Sequence, residues 1–223
     1  REYIAAQNPS AISRNARDAF SDRRDLFWRA CLSRSNLIID LTQKSDTYDN
    51  TYAPEMIGKV YNEIEGITIT CTGISYPFGK KIGEESTITA YTLKISDTSI
   101  TPTTTHTITR LRYTNWVDGD GTNTDVLHDL INYLDDEGLC AADKTPVVHC
   151  LAGVGRTGTF ITAWHIKHLI DKGLVTLENH VAHIKTAILT GRKARSKTFV
   201  QKPKQVGTIL SLTRKILDSG HLL

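Results

Sequence analysis

The sequence predicts an α/β domain, a mixed sheet with helices on both sides, and three observations lead there. Two short runs, "NLIIDLT" at 36–42 and "TPVVHC" at 145–150, have the near-continuous hydrophobicity of strands covered on both faces. Between them "GITITCTGISY", "STITAYTLKIS" and "THTITRLRY" alternate Thr, Ile and Tyr, as a series of antiparallel strands does. Several flanking stretches instead carry apolar residues every three or four positions, the helical period.

In chain order, Phe20, Phe27, Ala30 and Cys31 predict an amphipathic helix over 18–32, followed by the strand at 36–42. The Thr-rich piece at 98–109 reads as strand and turn, because Ile100 and Ile108 interrupt it. After the turn "DGDGTN", Val126, Leu127, Leu130, Ile131 and Leu134 take helical spacing, closed by Gly138. Helical stretches follow at 156–171, 176–190 and 202–217. The middle one sets Leu177, Val181, Ile184 and Ile188 on one stripe and ends at Gly191.

At 223 residues and 39% hydrophobic content, with no repeat or linker, residues 1–223 read as a single domain around one core. The opening "REYIAAQNP" nevertheless reads as mid-chain, as in a domain excised from something longer. A net charge of +3, from 27 basic and 24 acidic residues, argues against general binding to nucleic acid or to a membrane surface. The four cysteines, Cys31, Cys71, Cys140 and Cys150, form no CxxC pair, so neither a disulfide framework nor a zinc cluster is expected. That usage fits a reducing, cytoplasmic compartment. No apolar run reaches the roughly 18 residues of a membrane span, and no basic-then-apolar leader opens the chain.

The stretch "VVHCLAGVGRTGTF", 147–160, carries the chemistry. A strand runs into a tight glycine-containing turn and then a helix, with five residues between Cys150 and Arg156. Such a turn aims successive backbone N–H groups at one point, and the helix adds the positive end of its dipole. Leu151, Ala152, Gly153, Val154 and Gly155, with Arg156, thus form a candidate phosphate-binding loop. Gly153 and Gly155 permit close approach of a dianion, and the planar Arg156 fork matches two of its oxygens. The same field would stabilise a thiolate at Cys150, and Thr157 is placed to donate its hydroxyl to that thiolate. The implied reaction is attack on phosphorus through a phosphocysteine intermediate. The plainer alternative is a buried strand-end thiol beside a structural turn, but packing gives no reason for the Arg and Thr.

"HCLAGVGRTG" resembles the signature of the cysteine-dependent protein tyrosine phosphatases. The resemblance continues in family order through "YIAAQNP" at 3–9, "DLFWRACLSRSNLIIDLT" at 25–42, "YAPE" at 52–55, "RYTNWVDGDG" at 112–121 and "RKARSKTFVQKPKQ" at 192–205. It implies the family's highly twisted mixed sheet and hydrolysis of phosphotyrosine on proteins. In that family the general acid sits on a mobile loop after a Trp-Pro pair. The matching stretch here is Trp116, Val117, Asp118, which makes Asp118 the candidate acid and later base. Read without the family, Asp118 or Asp120 would simply cap the next helix. Valine in place of proline frees a fixed φ and is expected to alter loop closure, and with it turnover or pH dependence. By the same resemblance Gln205 orients the hydrolytic water and Gln201 precedes it on that loop; both could instead be exposed residues at a helix start. His149 is expected to order the loop by hydrogen bonding.

Leu151, Ala152 and Val154 include no basic residue, which tilts selectivity from inositol phosphates toward phosphoproteins. The rivals are a dual-specificity or phosphoinositide phosphatase, and a module that binds phosphotyrosine without turning it over. Arg192, Lys193, Arg195 and Lys197 either steer acidic phosphopeptides or form a solvated loop. The pairs His165/His168 and His180/His183 lack a carboxylate or cysteine partner, so no metal is expected, and the chemistry needs no cofactor. The expected partners are phosphotyrosyl proteins, and the expected state is a monomer. The "GVGRTG" variant and short loops resemble bacterial effector phosphatases acting in a host cytosol.

Overall fold

The structure, a computed structural model, describes residues 2–9, 23–43, 52–79, 87–139 and 143–220. Cys140, Phe20 and the expected start of the first helix lie outside them.

Among the described residues, seven strands form one sheet in the order β1-β7-β2-β6-β5-β4-β3. They are β1 (Ile4–Gln7), β2 (Leu37–Asp40), β3 (Val60–Ile64), β4 (Ile67–Ser75), β5 (Ile88–Asp97), β6 (Thr104–Tyr113) and β7 (Val147–Cys150). The neighbours from β1 to β6 run parallel, and those from β6 to β3 antiparallel. The two kinds of strand pattern separate accordingly. All four residues of β2 and all four of β7 are buried, as parallel strands covered on both faces require, whereas β4 alternates from buried to half-buried.

The helices among the described residues that cover the sheet are α1 (Arg23–Arg34), α2 (Thr124–Asp136), α3 (Gly155–Asp171), α4 (His180–Ala194) and α5 (Pro203–Gly220). Helices α2 to α5 pack on one face against Leu37, Ile39, Leu41, Val148 and Cys150. On the other face α1 brings Phe27, Trp28 and Cys31 to Ile38, Ile69 and Val147. Because side chains alternate along a strand, adjacent residues of β7 serve different cores.

Two helical expectations are corrected. Asn123 caps α2, its side chain accepting from Asp125 N at 2.8 Å and Val126 N at 3.3 Å, so neither Asp118 nor Asp120 has that task. Helix α4 begins at His180, not 176, and buries His180, Ile184 and Ile188, while Leu177 precedes it and Val181 is 55% exposed. It also runs through Gly191 to Ala194. A Cβ at position 191 would lie 2.3 Å from the Phe199 ring, so this glycine serves close packing and stops nothing. Gly191→Ala is expected to cost about 1–3 kcal/mol through overpacking, read as a lowered urea midpoint.

Candidate active site

Strand β7 delivers Cys150 to the end of the sheet, where the thiol is buried. The turn after it is pinned to β1: Asn8 N donates to Cys150 O at 2.9 Å and to Leu151 O at 3.1 Å. Gly153 has φ +71°, and a Cβ there would stand 2.1 Å from Ala6 O, so both conformation and space demand glycine. Helix α3 then starts at Gly155 with no side-chain cap, leaving the first-turn amides and the positive end of the dipole toward the loop. Within that loop Ala152 is exposed, Leu151 and Val154 are half-buried, and Gly153 and Gly155 are buried.

Arg156 is fully buried and links the loop to the segment carrying the candidate acid. Its Nη1 donates to Trp116 O at 3.1 Å, and its Nη2 lies 3.1 Å from Asp118 Oδ1. Trp116 is buried with Nε1 donating to Asp120 O at 3.1 Å, while the Asp118 carboxylate is 54% exposed and next to the exposed Val117. Asp120 is occupied elsewhere. Its carboxylate meets Lys204 Nζ at 2.9 Å and accepts from Gly121 N at 2.8 Å, and the Lys204 hydrogen bond holds it below the usual carboxylate range. Of the two aspartates in "DGDG", Asp118 alone faces Arg156.

Gln205 is fully buried. Its Oε1 accepts from Gln201 N at 2.8 Å and Lys202 N at 3.1 Å, fixing the turn into α5, and its Nε2 has no hydrogen-bond partner among the described residues. That amide sits over the loop: a Cβ on Gly155 would be 2.9 Å from Gln205 Nε2 and 3.4 Å from Gln201 Oε1. Gln201 itself is exposed. Thr157 Oγ1, expected to donate to the thiol, is buried without a hydrogen-bond partner among the described residues. His149 faces away, toward α1, with Nε2 2.6 Å from the Tyr52 hydroxyl. Burial pushes its imidazole below the usual range, Asp40 working in the opposite direction.

All four candidate steering cations, Arg192, Lys193, Arg195 and Lys197, are exposed; Arg192 donates to Phe199 O and Val200 O, and Arg195 to Ala5 O. Two features escaped the sequence reading: the Lys204–Asp120 pair, 84 residues apart in the chain, and a buried charge cluster behind His149 around Asp40. Nothing in local pattern signals either one. Among the described residues no group of three or more His, Cys, Asp or Glu is placed to hold a metal, and no helix is long and apolar enough to cross a membrane.

A thiol at the base of an uncapped helix start, with a buried guanidinium joined to a carboxylate over the same loop, has the make-up of a site for phosphate esters. The chain belongs to the protein-tyrosine phosphatase family, whose profile matches residues 1–213. It is 33% identical over 144 residues to "Probable tyrosine phosphatase protein H4" of Microplitis demolitor bracovirus, covering 61% of this chain and 74% of that protein. It is 30% identical over 184 residues to "Tyrosine phosphatase H3" of the same virus, covering 78% of this chain and 52% of that one. With "Receptor-type tyrosine-protein phosphatase eta" of Gallus gallus it shares 27% over 183 residues, 81% of this chain but 11% of the receptor. The chain therefore spans about half or less of two of these relatives.

Proposed function

We propose that residues 1–223 act as one catalytic domain that hydrolyses phosphotyrosine on proteins. The observation that carries this reading is Arg156, buried behind the Cys150 loop and 3.1 Å from Asp118, because it joins the phosphate cradle to a proton donor. In the first step Cys150 Sγ, as thiolate, attacks phosphorus while the bond to the tyrosyl oxygen breaks. Asp118, protonated, gives its proton to that leaving oxygen. Arg156 and the loop amides take up the charge of the transferring phosphoryl group. In the second step water attacks phosphorus, the P–S bond breaks, the thiolate returns, and Asp118 receives the proton of the water. Gln205, with its free Nε2 above Gly155, orients that water, with Gln201 beside it at the rim. Thr157 stabilises the returning thiolate.

The absence of a basic side chain at 151, 152 and 154 favours phosphoprotein over inositol phosphates. A reducing, cytosolic site of action suits a thiolate nucleophile, and the bracovirus relatives are compatible with an effector that works in a host cell. The test is phosphate release at pH 5 to 8 from phosphotyrosyl, phosphoseryl/threonyl and phosphoinositide substrates. Turnover of phosphotyrosine alone is expected. Comparable rates on all three would make the domain a broad-specificity phosphatase, and tight binding without release would make it a reader.

A further inference from the structure

Behind the nucleophile, on the α1 face of the sheet, three buried charges, Asp40, Arg110 and Arg112, and the half-buried Glu55 have no task in the reaction just described. Strand alternation turns Cys150 toward the four-helix face and its neighbour His149 toward this one. Here Asp40, at the end of β2, is fully buried and accepts from Arg110 Nη2 at 2.5 Å and Nε at 3.1 Å. Its other oxygen accepts from Thr42 N and Oγ1. Arg110 also reaches Glu55 at 2.9 Å, and Glu55 takes both 2.5 Å and 2.7 Å contacts from Arg112 Nη1. The Tyr52 hydroxyl bridges the cluster to the ring, 3.4 Å from Asp40 Oδ2 and 2.6 Å from His149 Nε2.

Two guanidinium groups and two carboxylates cancel, so a proton on His149 would leave the cluster with an uncompensated charge in a buried place. The other titratable groups packed around it stay neutral. Burial pushes Tyr52 and Tyr91 up, and likewise the thiols of Cys31 on α1 and Cys71 on β4. The Arg110 guanidinium lies over the Tyr52 and Tyr91 rings, at 4.9 Å and 5.3 Å, which fixes it further. The closest charge to Asp40 is Arg110 at 2.5 Å, and His149 Nε2 lies 3.7 Å from Asp40 Oδ1.

We propose that Asp40 and Arg110 are positioning residues for catalysis, a matched buried pair that sets the ring orientation and the electrostatic background of His149, and through it of the strand end bearing Cys150. The proposal rests on Cys150 being the nucleophile. Its sign is definite: removing the negative charge of Asp40 leaves a positive excess behind the thiol, which favours the thiolate and moves its formation to lower pH.

The direct reading is the pH dependence of iodoacetamide alkylation, with the label located at Cys150 by mass spectrometry, which does not depend on turnover. Asp40→Asn is expected to lower the alkylation midpoint by about half to one pH unit, and Asp40→Asn/Arg110→Met, which removes both charges, to bring it back toward the parent value. Glu55→Gln sits at the more exposed rim and guards against a folding failure; it is expected to shift the midpoint the same way by less. The proposal is overturned if the Asp40→Asn midpoint matches the parent, or if the double variant shifts as far as the single one. Should Asp40→Asn not fold, an unshifted Glu55→Gln overturns it. A C150S variant without activity alongside unshifted midpoints would leave the assignment of the nucleophile standing and remove only the role of the pair.

Discussion

Cys150→Ser is expected to keep binding phosphotyrosyl peptide and to lose phosphate release by a factor on the order of 10⁴–10⁶. The difference in size between sulfur and oxygen is small, so the cradle built from the 151–155 amides and Arg156 stays intact. The difference in acidity is large, and neither a helix dipole nor a neighbouring guanidinium can ionise a serine hydroxyl near neutral pH as they can a thiol. Isothermal titration with the peptide, run beside a phosphate-release assay, separates the two effects. Turnover within about tenfold of the parent would remove Cys150 from the bond-making role.

Asp118→Asn is expected to lower kcat by about 10²–10⁴ and to flatten the basic limb of the kcat/KM profile, because the amide has no proton to give to the leaving oxygen. The loss shrinks for aryl esters whose leaving groups are acidic enough to depart unprotonated. Asp120→Asn is the internal comparison. Its carboxylate is engaged by Lys204 and Gly121 and turned from Arg156, so this change is expected to alter kcat several-fold at most and to retain the basic limb. Equal losses in the two variants would show that the segment acts through its conformation and not through one acid.

Legibility followed how local the cause of each feature was. Strands at 36–42, 66–76, 86–96 and 105–113 could be read because alternation and continuous burial are written in neighbouring residues. The Cys150 turn was legible for the same reason: thiol, glycines, arginine and helix start lie within a few positions. Asp40 was not, since within "NLIIDLT" it looks like the polar end of a strand, and its partner Arg110 lies 70 residues away. In α4, Leu177 and Val181 fit the stripe by period, but the helix begins at His180, four residues after the expected start, and presents His180, Ile184 and Ile188 inward. Gly191 was misread because a glycine near a helix end suits both a stop and a tight contact, and only the Phe199 ring distinguishes them. The two glutamines were found as a pair, yet that Gln205 gives its Oε1 to the backbone amides of Gln201 and Lys202 while its Nε2 has no partner among the described residues depends on a turn that sequence does not specify.

The glycines around the site bear on how such a chain diverges. Gly153 in the loop lies against the Ala6 carbonyl of β1, while Gly158 on α3 and Gly191 on α4 lie against the Val200 amide and the Phe199 ring, so β1 and the 199–200 stretch are held at positions with no room for a methyl group. Neutral drift is closed at those three sites unless two segments change together. Ala152, by contrast, points outward and Leu151 and Val154 are only half covered. Lineages can therefore retune which phosphate ester enters by changing 151, 152 and 154 one residue at a time, while the frame that holds thiol and guanidinium stays frozen.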